Sequence, residues 1–224
     1  MYRKFGKRAL DILLSFCGIV ILSPLYLLIA LAIKIDDPGP AFFFQKRVGL
    51  HKTHFRIMKF RTMKMSSPHD VPTHLLENPE QYITRVGRIL RKTSLDELPQ
   101  IFQILTGKMS VIGPRPALWN QYDLIALRDQ VGANDVRPGL TGWAQINGRD
   151  ELPLERKAAL DGEYVQNMSF LFDCKCFFGT IKSVLKHDGV VEGGTGEINK
   201  AENEESDADN GHVNKYNDDE MVEK

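Results

Sequence analysis

Cysteine is scarce in this chain of 224 residues, which contains only Cys17, Cys174 and Cys176. The single residue between the last two suits neither a zinc knuckle nor a redox pair of the CxxC type. The six histidines are scattered, and His51 and His54 have no acidic or cysteine companion nearby. The sequence therefore predicts reduced cysteines that serve packing, and polar surface histidines.

Net charge is also absent, since 29 Lys and Arg residues balance 29 Asp and Glu residues. The charges are unevenly distributed: residues 189–224 hold eleven acidic and three basic residues, which leaves 26 basic and 18 acidic residues in 1–188. A basic body suits an anionic partner, such as a phosphate-bearing substrate, a membrane surface or nucleic acid. The tail has almost no apolar residues, so we expect it to be disordered and to have no catalytic role.

A long apolar run is present near the N-terminus. Residues 9–33 contain one acidic residue, Asp11, and are long enough to span a bilayer. Ser23-Pro24 lies in the middle of the run, where proline removes a backbone donor and leaves the carbonyl of Val20 without its partner. No small-x-small cleavage site follows the run, which argues against a signal peptide.

Basic residues flank both ends of the run. They are Arg3, Lys4, Lys7 and Arg8 before it, and Lys34, Lys46 and Arg47 after it. A helix that crosses the membrane favours positive charge on one side. We therefore expect residues 1–36 to enter one leaflet, break at Ser23-Pro24 and return; a kinked single span is the alternative.

The remainder predicts a mixed α/β fold that is mostly helical. AFFFQKRVG and THFRIMKFRTM are short β-rich runs separated by residues 49–52, which is typical of a hairpin. The pattern becomes helical from Tyr82 and ends in LDELPQIFQILTG. Further helices are predicted over 117–130, 153–168 and 170–187. The last mixes phenylalanine with lysine, as an interfacial or a buried helix would.

Three regions follow from these patterns. They are a re-entrant membrane helix over 1–36, a membrane-associated catalytic domain over 37–188 and an acidic disordered tail over 189–224.

The acidic pair Asp96-Glu97 is the strongest candidate for chemistry. It lies where a helix is predicted to begin, and unpaired N–H groups at a helix N-terminus favour phosphate. Many basic residues surround it in the sequence, among them Arg91. Such a pair can hold a divalent cation, and one carboxylate can attack a phosphorus whose charge is neutralised by metal and arginine.

A purely structural interpretation of this pair is also open. Ser94-x-x-Glu97 matches a capping box, in which Glu97 would only bond the backbone of Ser94. Pro99 argues partly against that interpretation, because a helix capped at Ser94 would place it at the fifth helical position, where its missing donor matters.

Several of these segments together resemble the bacterial sugar transferases, the monotopic phosphoglycosyl transferases. The resemblance rests on SPLYLL, KFRTM, TRVGRILRKTSLDELPQIFQIL, MSVIGPRP, RPGLTGWAQINGR and DGEY, in unbroken order over roughly residues 1–188. The chain is similar to the small form of the family, because no multi-span domain precedes the apolar run.

The resemblance implies transfer of a sugar phosphate from a UDP-sugar to undecaprenyl phosphate, with release of UMP, as the first step of glycoconjugate or polysaccharide synthesis. Asp96 would be the nucleophile that forms a covalent aspartyl-phosphosugar, and Asp96 and Glu97 would bind Mg²⁺. Phosphates would be steadied by basic residues that match family motifs, namely Lys59, Arg91, Arg115 and Arg149.

The resemblance also implies a location. The re-entrant helix, broken at Ser23-Pro24, would anchor the catalytic domain to the cytoplasmic face of the bacterial inner membrane, where the bilayer supplies the lipid acceptor. It implies no nucleic-acid partner.

Two other functions are compatible with parts of the sequence. A noncatalytic membrane scaffold for glycan-assembly enzymes would keep the apolar run without needing Asp96, Glu97 or Arg115. A single-span glycosyltransferase would move the sugar without phosphate and release UDP. The sequence leaves open which UDP-sugar is used, which glycan pathway the protein serves, its oligomeric state and the role of the acidic tail.

Overall fold

A computed structural model describes residues 2–67, 79–148 and 152–186. The predicted tail, 189–224, and the predicted phosphate-binding residue Arg149 lie outside the described residues.

The N-terminus is one long helix. A short π-helical segment, Tyr2–Gly6, leads into α1, Lys7–Asp36, and Pro24 lies inside α1. The Ser23 hydroxyl donates a hydrogen bond of 2.9 Å to the carbonyl of Val20, the group that Pro24 leaves without its usual donor. The helix therefore continues through the predicted break point as a single element, and the re-entrant path through a bilayer stays a prediction.

The predicted hairpin is confirmed. Strand β1, Phe42–Val48, pairs antiparallel with β2, His54–Phe60, in a register that runs from Phe42 opposite Phe60 to Val48 opposite His54. The turn is a 3₁₀ segment, Leu50–Lys52, with His51 and Lys52 at positive φ.

The middle of the chain is helical, as the pattern from Tyr82 predicts. A 3₁₀ turn, Pro79–Tyr82, precedes α2, Arg85–Thr93, which begins where the hydroxyl of Thr84 accepts a hydrogen bond from the backbone N–H of Gly87 at 2.9 Å. Gly87 lies directly against the end of β2, because a Cβ atom there would be 2.0 Å from the carbonyl oxygen of Thr62. The close approach requires glycine and docks α2 on the hairpin.

After α2 come a 3₁₀ helix, Leu95–Gln100, and α3, Ile101–Leu105. The second half of the domain pairs two short strands in parallel, β3, Ser110–Ile112, and β4, Gly139–Thr141. Its helices are α4, Tyr122–Gln130, α5, Trp143–Ile146, α6, Leu154–Asn167, and α7, Phe170–Lys186, with a 3₁₀ turn at Ala133–Asp135. A mostly helical fold with short sheets is thereby confirmed.

Helix α1 packs against the domain along its whole length. Near its start, Arg8 donates to the carbonyls of Ile104 and Leu105, and the carboxylate of Asp11 accepts from the hydroxyl of Ser110 and the N–H of Val111.

The later half of α1 makes contacts of the same kind. The Tyr26 hydroxyl donates to the carbonyl of Leu98 at 2.8 Å, and the Asp36 carboxylate accepts from the N–H of Val86 at 2.8 Å. Ile29 and Ile33 form a buried cluster with Phe60 and Leu90. Both ends of the helix and its middle are thus attached to the same domain.

Helix α7 leaves an apolar surface uncovered. Its exposed large apolar side chains are Phe170, Leu171, Phe177, Phe178 and Ile181, whereas Cys176 on the other side is fully buried. The sequence left open whether this helix is interfacial or buried, and the exposed aromatic side chains favour the interfacial interpretation. The three cysteines are free thiols; Cys176 is buried in the core as a packing residue, whereas Cys17 is exposed, so the predicted packing role is wrong for Cys17.

Candidate active site

The acidic pair lies in a tight turn of helix. Asp96 and Glu97 belong to the 3₁₀ helix Leu95–Gln100, which contains Pro99 and runs directly into α3. The expected helix start near Asp96 is confirmed as a helical turn, although its geometry is 3₁₀. The turn begins at Leu95, directly after Ser94, so Pro99 does occupy the fifth helical position. The segment packs against β2, the strand that carries Lys59.

The capping-box interpretation is wrong. Ser94 adopts the left-handed conformation, with φ of 56°, and its side chain makes no capping hydrogen bond. The backbone N–H of Ser94 donates to the carbonyl of Arg91, because Ser94 closes the C-terminus of α2. The carboxylate of Glu97 turns away from this backbone and is available for other partners.

Two cations hold Glu97. Lys59 Nζ donates to Glu97 Oε1 at 2.7 Å, and the Arg115 guanidinium donates to both oxygens, at 2.5 Å to Oε1 and 3.1 Å to Oε2. Burial alone would raise the pKa of this carboxyl, but the charges of Arg115 and Lys59 outweigh it and hold the pKa of Glu97 far below its usual range. Glu97 is a permanent anion whose position is set by two basic side chains.

Asp96 has a different environment. Its carboxylate is 13% exposed and lies 3.9 Å from Lys59 Nζ, which is too long for a hydrogen bond. Burial raises the pKa of Asp96 to about 6; Lys59 opposes the rise and the neighbouring Glu97 adds to it. The carboxylate is therefore ionised near pH 7, weakly bonded and poorly solvated, which are properties of a reactive nucleophile.

Of the predicted phosphate-binding residues, the structure brings Lys59 and Arg115 to the acidic pair. Arg91 also contributes positive potential at Asp96, and its Nε donates to the hydroxyl of Thr62 at 3.0 Å. Arg61, two residues beyond Lys59, instead binds the carboxylate and carbonyl of Asp37 and anchors the chain where α1 ends.

A buried ion pair behind Arg115 was not identified from the sequence. Arg128 donates to Asp161 through Nε at 2.8 Å and Nη2 at 2.5 Å, and both side chains are almost completely buried. Its third nitrogen, Nη1, donates to the backbone carbonyl of Arg115 at 2.9 Å. In the sequence, only the DGEY segment points to Asp161 as a residue of interest, and nothing in that segment indicates Arg128 as its partner.

The residues at hand fit a magnesium ion only in part. Within the described ranges, no group of three or more His, Cys, Asp or Glu side chains could hold a metal. Asp96 and Glu97 supply carboxylate oxygens, and Glu97 already accepts three hydrogen bonds. Mg²⁺ is commonly bound through one or two carboxylates, with substrate phosphates and water completing its shell. The pair therefore suits a magnesium ion that arrives with a phosphorylated donor.

Comparison with known proteins identifies the family. The sequence profile described as "Bacterial sugar transferase" matches residues 2–187. The chain is 41% identical over 182 residues to the UDP-glucose:undecaprenyl-phosphate glucose-1-phosphate transferase of Escherichia coli (strain K12), an alignment that covers 78% of this chain and 39% of that protein.

Two further relatives differ in length, and one of them is named for a different sugar. The UDP-N-acetylgalactosamine-undecaprenyl-phosphate N-acetylgalactosaminephosphotransferase of Aeromonas hydrophila is 38% identical, over 83% of this chain and 45% of its own length. The Bacillus subtilis (strain 168) protein named "Uncharacterized sugar transferase EpsL" is 39% identical, over 83% of this chain and 90% of its own. The chain thus spans less than half of the first two relatives but most of the third. The profile match, which covers all of the described residues, and these identities show that the chain belongs to the bacterial sugar transferase family.

Proposed function

We propose that this protein transfers a sugar phosphate from a UDP-sugar to undecaprenyl phosphate and releases UMP, in the first step of glycoconjugate or polysaccharide synthesis. The observation that carries the proposal is the asymmetric acidic pair, in which Glu97 is fixed by two cations while Asp96 is ionisable and desolvated. Relatives named as undecaprenyl-phosphate sugar phosphotransferases support the same reaction.

The first step forms a covalent intermediate. A carboxylate oxygen of Asp96 attacks the phosphorus that bears the sugar, and a new O–P bond forms as the bond between that phosphorus and the bridging oxygen breaks. UMP leaves with the bonding electron pair. Desolvation strengthens the nucleophile, and the pKa of about 6 keeps it ionised at neutral pH.

The second step returns the enzyme to its starting state. A phosphate oxygen of the lipid acceptor attacks the same phosphorus, the O–P bond to Asp96 breaks, and the carboxylate is regenerated. The product is a lipid diphosphate that carries the sugar.

The basic residues neutralise phosphate charge in both steps. Lys59, which precedes the acidic pair in the sequence, lies near both carboxylates. Arg115, which follows the pair, binds Glu97. Arg91 adds positive potential on the α2 side, and Arg149 is proposed for the same role from its motif alone. Phosphoryl transfer depends mainly on such positioning and charge stabilisation.

Magnesium is proposed as the cofactor, held by Asp96 and Glu97 together with the donor's phosphates. It would supply additional neutralisation of the diphosphate. Glu97 would contribute chiefly as a ligand, because it is ionised throughout and does not carry the sugar phosphate.

The location proposed is the cytoplasmic face of the bacterial inner membrane, with α1 inserted into one leaflet. The segment Tyr2–Asp36 is long and apolar enough to cross a membrane, and one such helix near an N-terminus does not by itself decide the topology. A straight helix of 30 residues measures about 45 Å, enough to place its ends on opposite sides. The contacts of Arg8, Asp11, Tyr26 and Asp36 with one domain instead favour both ends on the same side.

Topology is tested by cysteine labelling at positions 4 and 46. Both should be accessible only from the cytoplasm, and labelling of position 4 from outside would refute the re-entrant path. Cys17 is exposed and Cys174 is half-buried, so both would be replaced by serine first and the introduced thiol would be the accessible reporter.

Product analysis tests the reaction. Purified protein with a UDP-sugar, Mg²⁺ and undecaprenyl phosphate should release UMP; release of UDP would indicate a glycosyltransferase, and no nucleotide release with any UDP-sugar would favour the scaffold. A screen across donors is needed, because similar relatives are named for glucose and for N-acetylgalactosamine.

Mass analysis tests the intermediate. With a donor labelled in the sugar and no acceptor, the intact protein should gain one phosphosugar, on the peptide that contains Asp96. Asp96→Asn should lose both the adduct and turnover, while Glu97→Gln should keep the nucleophile and need more Mg²⁺. An adduct on another residue, or full activity of Asp96→Asn, would refute the assignment.

A further inference from the structure

Three consecutive aromatic residues, Phe42, Phe43 and Phe44, form the beginning of β1, and all three side chains are exposed. Side chains alternate between the two faces of a strand, so a strand with one face in water normally alternates apolar with polar residues. Here both faces carry aromatic side chains, and each of the three side chains is more than one third exposed. Such a surface is unusual on a soluble sheet and indicates an apolar ligand or surroundings.

The strand register links this surface to the acidic pair. Phe43 is directly opposite Lys59 in the antiparallel pairing, so the two side chains share a face, with Cβ atoms about 5 Å apart. Lys59 in turn lies 2.7 Å from Glu97 and 3.9 Å from Asp96. Phe43 is therefore the apolar side chain at the edge of the site, and it remains 42% exposed.

The other end of the aromatic segment leads to the membrane helix. The ring of Phe42 stacks on that of Phe60, with centroids 5.4 Å apart, and Phe60 is buried against Ile29 and Ile33 of α1. Phe42 and Phe60 lie on the opposite face of the hairpin from Phe43 and Lys59. The aromatic segment therefore places one ring against the helix that would lie in the bilayer and the next ring beside Lys59.

We propose that Phe43 forms the binding site for the first isoprene units of the lipid acceptor, while Lys59 receives its phosphate. This inference rests on the proposed function and adds to it the place where the lipid chain leaves the site. An isoprenyl phosphate is amphiphilic, and the cross-strand pair of a cation and an exposed phenyl ring matches its two parts. Phe44 points to the opposite face and contacts bulk lipid without touching the acceptor.

Steady-state kinetics of Phe43→Ser and Phe44→Ser test the proposal, since the same change is made one residue apart on opposite faces. Phe43→Ser should raise the KM for undecaprenyl phosphate about tenfold, the loss expected when about half of a phenylalanine's burial is removed. Its KM for the UDP-sugar should stay within twofold of wild type, and Phe43→Leu should restore most of the acceptor affinity. Phe44→Ser should leave both constants within twofold.

Equal losses in the two serine variants would overturn the proposal, because they would indicate a general effect of the hairpin. A rise in donor KM as large as that in acceptor KM would also overturn it, since Phe43 would then act only by supporting Lys59. Wild-type protein that fails to transfer to the lipid would refute the proposed function itself, an outcome distinct from either of these.

Photocrosslinking of the wild-type protein gives an answer that does not depend on the folding of a variant. A photoreactive group in the first isoprene units of an isoprenyl phosphate should label the peptide that contains Phe43. Unlabelled undecaprenyl phosphate should compete with this labelling, and an equal concentration of added phospholipid should not. Labelling elsewhere, or equal competition by phospholipid, would overturn the proposal.

Discussion

Replacing the proposed nucleophile should stabilise the folded protein. The pKa of Asp96 rises from 3.8 to about 6 on folding, mainly because the carboxylate is buried. Each pKa unit corresponds to about 1.4 kcal/mol, so the ionised group opposes folding by roughly 2–3 kcal/mol at neutral pH. Asp96→Asn keeps the shape and removes the charge. It should therefore increase the free energy of unfolding by about that amount.

The effect has a defined pH dependence. Between pH 4 and 6 the folded protein binds a proton at Asp96 that the unfolded chain has released, so wild-type stability falls as pH rises through this window. The advantage of Asp96→Asn should be close to zero near pH 3.5, grow across the window and reach its maximum above pH 6.5. For a domain of this size the maximum corresponds to a melting temperature higher by roughly 5–10 °C.

Glu97→Gln is the matched control, because it should decrease the free energy of unfolding where Asp96→Asn increases it. The pKa of Glu97 is lowered by Arg115 and Lys59 against the effect of burial, so this carboxylate stabilises the fold above its unfolded pKa of 4.5 and loses that contribution as pH falls. The substitution should cost about 2 kcal/mol at pH 7.5, less than for a fully buried pair because Arg115 is 37% exposed.

Thermal unfolding of both variants in detergent or nanodiscs, without Mg²⁺ or nucleotide, measures these differences. Omitting the ligands matters because bound Mg²⁺ would stabilise the Asp96 carboxylate, and a bound nucleotide would add its own binding free energy to the measured stability. Asp96→Asn that is no more stable than wild type at pH 7.5, or whose advantage persists unchanged at pH 3.5, would show that the carboxylate is not desolvated as the structure indicates.

Three further outcomes are expected. Because Asp96 must be ionised to attack, adduct formation under subsaturating donor should fall about tenfold for each pH unit below 6 and level off above 7; a flat profile from pH 5 to 7.5, measured as UMP release, would contradict the assigned pKa. Gly87→Ala should destabilise the protein by more than about 2 kcal/mol in thermal unfolding, because the added Cβ would lie 2.0 Å from the carbonyl oxygen of Thr62. The control, Gly132→Ala, adds a Cβ with nothing within 4 Å and, at φ of 68°, should cost only backbone strain of about 1 kcal/mol. Asp161→Asn leaves Arg128 buried without its charge partner, so it should cost about 3 kcal/mol or more, and retention of wild-type stability would argue that Arg128 finds another partner.

The local elements of this protein follow from short stretches of sequence. The apolar run produces α1, the two β-rich runs around residues 49–52 produce the hairpin, and the helical periods produce α6 and α7. Each element depends on interactions among residues close in the chain or on an apolar pattern of a single period. Features of both kinds can be recognised from the sequence alone. The acidic pair could also be identified from its composition and from the surrounding family motifs.

The partners of that pair were decided only by tertiary structure. Lys59 and Arg61 are two residues apart, yet packing of β2 brings Lys59 to Glu97, while Arg61 binds Asp37. The sequence contains many basic residues, and nothing in the residues around Lys59 and Arg61 indicates which of the two binds the acidic pair.

The unequal chemistry of Asp96 and Glu97 has the same origin. The two carboxylates are adjacent in sequence, but Arg115 donates two hydrogen bonds to Glu97. Arg128 binds the backbone carbonyl of Arg115. The main influence on Asp96 is instead burial, which raises its pKa. A charge interaction changes by several-fold over a few ångströms and with the loss of solvent. The sequence by itself determines which charged groups exist, and the fold determines their separations and their exposure to water, on which the pKa of each carboxyl depends.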